Sequence, residues 1–386
     1  MKVLVINCGS SSVKYKIINV VNEKVVSQGR VEGIGLDSCV FKQNGSSKKV
    51  FVKNHDAALA LILKNLDVSK IDVVGHRFVH GGSLYDSSVV LSPSVLKDLE
   101  SLKDLAPLHN PHNLAGIKAC VKLLDVPQVV VFDTSFYKDL PLKASTYALP
   151  FDFVQKHGLK KYGFHGISHK FLNRVACEFL GRDKVNVITC HLGNGASVSC
   201  IKHNVCIDTS MGFTPLQGLV MGSRSGDLDP GLVLYLQDKL RLSVGKVQTM
   251  LNKESGLKGL CGESDMRSVY KKVLDNDDRA SLALDVFCHR LVHYIGAYLA
   301  IMDADTHAIV FSAGVGEGGF FVRKRVCNSL KHLGVVINFD KNMINDGQIV
   351  EPTIISDESS KIKILVIPTD EELMIALESV MMIKEN

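Results

Sequence analysis

The sequence predicts an α/β protein built as two domains, and three observations carry that reading. Short β-branched runs alternate with amphipathic stretches along nearly all 386 residues, as strands covered by helices do. The length is enough for two ordinary domains with a large core in each. Two segments also share a pattern: "VLVINCGSSSVKYKIINVVNEKVVSQG" from Val3 and "VNVITCHLGNGASVSCIKHNVCIDTSMG" from Val185. Each reads as apolar strand, small-residue turn, alternating strand, turn and strand, so each half opens with a β-meander carrying a tight turn. A cleft between two such halves would present both turns to one ligand.

The elements follow in order. Apolar runs at 3–7, 73–79, 129–133, 185–190, 307–312 and 363–368 predict strands. Amphipathic or fully apolar stretches at 56–66, 92–102, 112–124, 167–181, 281–302, 320–332 and 370–383 predict helices. Prolines in "KDLPLKASTYALP" break the periodicity near 134–150. The domains are therefore expected at 1–148 and 149–371, with a last helix, 372–386, packing back on the first domain.

Composition excludes several classes. Hydrophobic residues are 46% and charged residues 22%, with no tryptophan, which is globular rather than disordered or fibrous. The formal charge of +5 is not gathered into a basic block, and Lys48–Lys49 and Lys160–Lys161 read as solvated faces, so no nucleic-acid partner is expected. The longest apolar stretch contains Asp285, His289, Arg290 and His293 and reads as a buried helix, not a membrane span. Met1-Lys2 runs straight into a strand with no signal peptide, and ten cysteines show no C-x-x-C pair. Reduced thiols in a cytoplasm are the expectation.

Three turns could hold phosphate. In "NCGSSSVKYK" the segment Gly9, Ser10, Ser11 and Ser12 offers amides and hydroxyls, and Lys14 a charge. Asn7 and Glu371 could each bring an oxygen to Mg²⁺ if the fold joins the chain ends. "HLGNGAS" at 191–197 is a second glycine turn, equally readable as a plain "NG" hairpin. In "HAIVFSAGVGEGGFFVRKRV", Gly314, Gly316 and Gly319 fall in G-x-G-x-x-G spacing, and Asp340 is expected to end the next strand, "VVINFD". That suits a dinucleotide fingerprint, although only 46 residues follow Asp340, too few to complete such a domain. A turn packing against an adenosine explains the same glycines, and an NAD-dependent enzyme remains the alternative of another class.

Charged residues complete a set for phosphoryl transfer. "GHRFVHGG" carries Arg77 and His80, "VFDTS" carries Asp133, "YGFHGISH" carries His165 and His169, and "SRSGDLDP" carries Arg224. Singly, each is readable as a surface, capping or hydrogen-bonded residue. Jointly, Arg77, His165 and Arg224 can meet the charge that develops on a moving phosphoryl group. No Walker A sequence or protein-kinase motif occurs, so the cradle must come from the paired turns.

"NCGSSSVKY", "GHRFVHGG", "PLHNPHNLAGI", "VFDTSF", "YGFHGISH", "ITCHLGNGAS", "DTSMGFTPLQGLVMGSRSGDLDP", "AGVGE" and "VIPTDEELMIA" together resemble the acetate kinase (acetokinase) family. The match runs in order over almost the whole chain and is weakest at 30–70 and 335–360. It implies the actin/Hsp70/sugar-kinase-like fold with two duplicated α/β domains around a central cleft, and a homodimer. The implied activity is reversible transfer between ATP and acetate, giving ADP and acetyl phosphate. The resemblance sets Asn7 and Glu371 at Mg²⁺ (or Mn²⁺), Ser10, Ser12 and Lys14 at the ATP phosphates, and His191, Leu192, Gly193, Asn194 and Gly195 in the second phosphate turn. Asp265, Met266, Arg267, Gly314, Val315, Gly316, Glu317 and Gly318 would line the adenosine side. Arg77 would hold the substrate carboxylate, Asp133 would be the active-site acid/base, and His165 and Arg224 would stabilise the transition state. Val79, Leu108, Phe164 and Pro215 would form the methyl pocket.

Chemistry qualifies one role. A simple carboxylic acid titrates near 4.3, so acetate arrives ionised and its attack needs no base; Asp133 is then a positioning carboxylate. Each extra methylene is worth only about 1–3 kcal/mol of discrimination, so propionate or another short carboxylate is the near alternative substrate. A chaperone-like ATPase of the same fold would need a peptide-binding region for which this length leaves no room. The family's pattern has Asn at Gly318, His at Tyr137 and Thr at Ile167. The first departure removes a side-chain contact on the nucleotide side.

Overall fold

The computed structural model describes residues 1–9, 11–107, 109–303, 305–343 and 349–385. Ser10 and Leu108 lie outside the described residues. The chain forms two compact units, Met1–Lys138 with Asp370–Asn386, and Asp139–Thr369.

The first unit is built on an eight-stranded sheet. Its strands are β1 (Lys2–Cys8), β2 (Ser12–Asn19), β3 (Lys24–Glu32), β4 (Val40–Gln43), β5 (Ser46–Lys49), β6 (Val73–Phe78), β7 (Val89–Val90) and β8 (Gln128–Phe132). Their order is β5-β4-β3-β2-β1-β6-β8-β7, with β1, β6 and β8 parallel and the others antiparallel. Val3 to Ile6 are all buried, because a parallel core strand is covered on both faces. Helices α1 (His55–Lys64) and α3 (Asn110–Leu123) supply Ala58, Leu59, Ile62 and Cys120 to a core with Leu4, Tyr15, Ile17 and Phe41. The α1 start is set by Asn54, whose side chain accepts from the Ala57 amide, and α2 (Pro93–Ser101) starts likewise on Ser92. The helix Glu371–Glu385 packs on β1, β6 and β8. Gly75 permits that close approach, since a Cβ there would stand 2.6 Å from Ser379 Oγ and 2.8 Å from Ile375 Cγ2.

The second unit repeats the plan. Strands β9 (Val187–Leu192), β10 (Ala196–Lys202), β11 (Val205–Thr209), β12 (Ala308–Ser312), β13 (Thr353–Ile354) and β14 (Lys363–Val366) order as β11-β10-β9-β12-β14-β13. In both sheets an antiparallel meander is followed by two strands parallel to its first: β3-β2-β1-β6-β8 in one, β11-β10-β9-β12-β14 in the other. This is the duplicated α/β plan the sequence predicts. The long apolar stretch is the helix Asp278–Ile301, which buries Leu284, Phe287, Leu291 and Ile295 along one stripe. Among the described residues no helix is long and apolar enough to cross a membrane.

Three expectations are corrected. The hairpin β4–β5 lies where no strand is predicted. The glycine segment after β12 is not an open turn: Ala313–Gly318 is helical and runs into the helix Phe320–Ser329. "VVINFD" is not a strand ending at Asp340. Ile337 makes only an isolated bridge to Ser356, and Asn338 caps a helical turn, Phe339–Asn342, by accepting from the Lys341 amide. The strand beside β12 is β14 instead, so the acidic residue a dinucleotide site needs is not at a neighbouring strand end.

Candidate functional site

In the first unit, Arg77 leaves the end of β6 and meets Asp133, which follows β8; the two strands are paired in register from Val74↔Gln128 to Phe78↔Phe132. The pairing is two-pronged, with Arg77 Nη2 2.6 Å from Asp133 Oδ2 and Nε 3.3 Å from Oδ1. Asp133 is 1% exposed. Burial lowers the Arg77 pKa, but the carboxylates of Asp133, Glu371 and Glu372 outweigh it and hold the guanidinium above its ordinary value. Glu371 therefore sits in the same electrostatic neighbourhood as Arg77 and Asp133. Its Oε1 is shielded from solvent and has no hydrogen-bond partner among the described residues.

The hairpin β1–β2 sets Asn7 opposite Lys14 and is closed by the Gly9 amide, which donates to Ser12 O at 2.8 Å. Lys14 is exposed, beside Lys16, which is held by Asp370 at 2.9 Å and Glu372 at 3.2 Å. Val79 is buried just after β6, its amide donating to Asn113 Oδ1.

In the second unit, His165 sits at the N-terminus of the helix Gly166–Leu180 with φ of 58°, a left-handed conformation that side-chain-bearing residues adopt at a cost and that recurs at functional sites. Its Nδ1 meets Ser197 Oγ at 2.9 Å, and Ser197 Oγ meets His169 Nε2 at 2.8 Å. The His165 ring lies 4.3 Å from that of His191, whose Nδ1 is 2.8 Å from Ser168 Oγ. His169 is fully buried, and burial followed by the neighbouring His191 depresses its pKa well below the usual imidazole value. It is a neutral anchor beneath the site.

The β9–β10 connection is Gly193, Asn194 and Gly195, a three-residue turn in which the Gly193 amide donates to Gly195 O. Gly195 opens directly on two candidate functional side chains of this unit: a Cβ there would stand 3.4 Å from His165 Nε2 and 3.6 Å from Arg224 Nη1. Arg224 Nη1 donates to Pro215 O at 3.1 Å. No carboxylate pairs with Arg224 among the described residues; its neighbour in sequence, Asp227, is taken by Arg290 and Tyr294. Burial pulls the Arg224 pKa down, the mark of a cation without a counter-charge. Phe164 is buried and Pro215 half-buried near these groups.

A cavity of about 410 Å³ adjoins this turn, lined by Gly193, Asn194, Asp265, Met266, Arg267, Gly314, Val315 and Gly318 among others. Asp265 caps the helix Met266–Leu274 and binds Arg267, and the Arg267 hydrogen bond lowers its pKa. Gly316 faces the sheet, at Phe311 and Cys190 O, and Glu317 Oε1 accepts from the Ala313 and Thr369 amides, so neither lines the cavity. Leu192 is likewise a core residue. Sequence reading passed over Gly222, Leu257, Phe287 and Phe321, which do line it. Phe321 carried the only available signal, the paired aromatics "FF", and its ring stacks 3.7 Å from Tyr270 at 3°. Tyr137 and Ile167, the other departures, are buried in their units.

A model of the family described as "Acetokinase family" matches residues 2–377. The chain is 46% identical over 397 residues to the acetate kinase of Carboxydothermus hydrogenoformans, covering 98% of each sequence. Its structure matches that of Porphyromonas gingivalis acetate kinase with a TM-score of 0.91, at 40% identity and 99% of each chain. It also matches a propionate kinase from Francisella tularensis with a TM-score of 0.92, at 39% identity, 98% of this chain and 99% of that one.

Proposed function

The chain belongs to the acetokinase family, and we propose that it transfers the γ-phosphoryl group of ATP reversibly to acetate, giving acetyl phosphate and ADP. The observation that carries the site assignment is the facing of Gly195 on His165 and Arg224, where a Cβ would come into van der Waals contact with both side chains. A phosphoryl group there meets backbone amides and two fixed cationic or polarisable groups.

Acetate is already ionised at neutral pH, so one carboxylate oxygen attacks the γ-phosphorus directly while the bond to the β,γ-bridging oxygen breaks and ADP departs with those electrons. Arg224 and His165 neutralise the oxygens of the moving group. Arg77 holds the acetate carboxylate, and Asp133 fixes the guanidinium through its two-pronged pairing. Asp133 moves no proton in this scheme. Val79, Leu108, Phe164 and Pro215 are the residues assigned to the methyl group in this reading. The cavity beside Asn194 takes the adenosine.

A divalent cation fits the first unit, because Glu371 Oε1 is buried without a partner and asks for a cation. Glu371 and the Asn7 side chain would hold Mg²⁺, or Mn²⁺, which is ligated by few protein oxygens when nucleotide phosphates complete its shell. Bound there it supplies charge neutralisation for the phosphates. Ten free cysteines accord with a reducing cytoplasm. A homodimer is supported by the helix Pro230–Asp238, which buries none of its residues yet exposes Leu232, Leu234 and Tyr235.

Incubating the protein with ATP, Mg²⁺ and acetate, then trapping acyl phosphate with hydroxylamine, tests the assignment. Acetyl hydroxamate is expected, with less product from propionate. No acyl hydroxamate from either acid would refute it.

A further inference from the structure

We propose that His55 and Asn113 act as positioning residues for the nucleotide, by turning carbonyl oxygens of the β1–β2 hairpin away from the phosphates it binds. The inference rests on the reading of that hairpin as a phosphate cradle. A cradle of backbone amides works only if the intervening carbonyls, whose lone pairs repel an anion, face elsewhere. Two consecutive carbonyls at this turn do so because side chains hold them. Gly9 O accepts from His55 Nε2 at 2.7 Å, and Cys8 O accepts from Asn113 Nδ2 at 2.8 Å.

The two donors come from different helices. His55 is the first residue of α1, and its ring is stacked on His112 of α3 at 5.3 Å and 25°, which fixes the direction of Nε2. Asn113 lies in the first turn of α3 and is buried. The same Asn113 amide group accepts from the Val79 amide through Oδ1 at 3.3 Å. One side chain thereby ties the end of β1 to the start of the methyl pocket. His55 hydrogen-bonds to the turn, through Gly9 O, and not to Val79. The two residues should consequently leave different kinetic signatures: His55 in nucleotide binding only, Asn113 in both nucleotide and carboxylate binding.

The test compares His55→Ala, His55→Gln and Asn113→Ala in steady-state kinetics with ATP and acetate varied separately, in calorimetric binding of ADP and of adenosine, and in Tm. His55→Ala should raise KM for ATP and Kd for ADP about tenfold, the order of one lost part-buried hydrogen bond. Adenosine affinity and KM for acetate should hold. His55→Gln, which can still donate to Gly9 O, should recover most of the loss. Asn113→Ala should raise both KM values. Equal weakening of ADP and adenosine by His55→Ala, or unchanged ADP affinity, overturns the proposal. Lys14→Ala separates the two levels: if it weakens ADP while His55→Ala does not, only the positioning role fails. If Lys14→Ala also leaves ADP binding intact, the cradle reading fails with it.

Discussion

In the proposed scheme Arg77 and Asp133 divide their labour. The carboxylate is buried and takes two guanidinium nitrogens, which leaves Nη1 of Arg77 for a substrate oxygen. Asp133→Asn keeps the shape but removes the charge, and kcat should fall by about 10²-fold or more, as when a preorganised charge contact is lost. Near-wild-type turnover measured in the hydroxamate assay would contradict the positioning role. Val79→Ala should raise kcat/KM for propionate relative to acetate, by up to about tenfold for the methylene accommodated. His76 offers a test of stability rather than catalysis. Buried in β6, its Nε2 is 2.8 Å from Gln128 Oε1, and burial lowers its pKa from 6.5 to about 4. The folded state thus resists protonation while the unfolded state accepts it, so stability is intact above pH 6.5 and is lost as the pH falls toward 4. The loss is at most ~3 kcal/mol. Urea denaturation of His76→Gln across that range should lack this slope.

At the scale of elements, much was legible in the sequence. Unbroken apolar runs such as "VVVF" are the mark of strands buried on both faces, and β1, β6, β8, β9, β12 and β14 all fall where such runs predict them. The helix Asp278–Ile301 was equally plain from its length. What failed has a physical cause. "VVINFD" has the composition of a strand, but Asn338 caps a helical turn and the sheet takes β14 in its place. The glycines at 314–319 have a nucleotide-turn spacing, yet a helix can absorb them because neighbouring elements supply the packing. His55 left no signal, since nothing in "NHDAALAL" distinguishes a donor to a distant turn from a helix start. The packing of Glu371–Glu385 rests on Gly75. Gly75→Ala would press a methyl against Ile375 and Ser379, costing about 1–3 kcal/mol and lowering Tm. Because Glu371 opens that helix, the Mg²⁺ concentration for half-maximal activity should rise in the same variant.

At the scale of the molecule, the duplication explains why the residues assigned to the proposed site fall in two sets. Each unit carries one meander with a glycine turn, Gly9 in one and Gly193 to Gly195 in the other, and each turn leads from a strand buried on both faces. Rigid strands fix the turns; Arg77 lies in β6, Asp133 follows β8, His165 is the N-cap residue of the helix Gly166–Leu180 and Arg224 follows β11. The exposed helix Pro230–Asp238 belongs to this scale too. Replacing Leu232 and Tyr235 with Asp should convert a dimer to a monomer in sedimentation analysis, and a wild-type protein that sediments as a monomer would refute the interface. The central claim is transfer to a carboxylate rather than to water. Following purified protein with ATP, Mg²⁺ and acetate by ³¹P NMR tests it most directly. Acetyl phosphate and ADP should appear in equal amounts, whereas ADP accompanied only by inorganic phosphate would contradict the account.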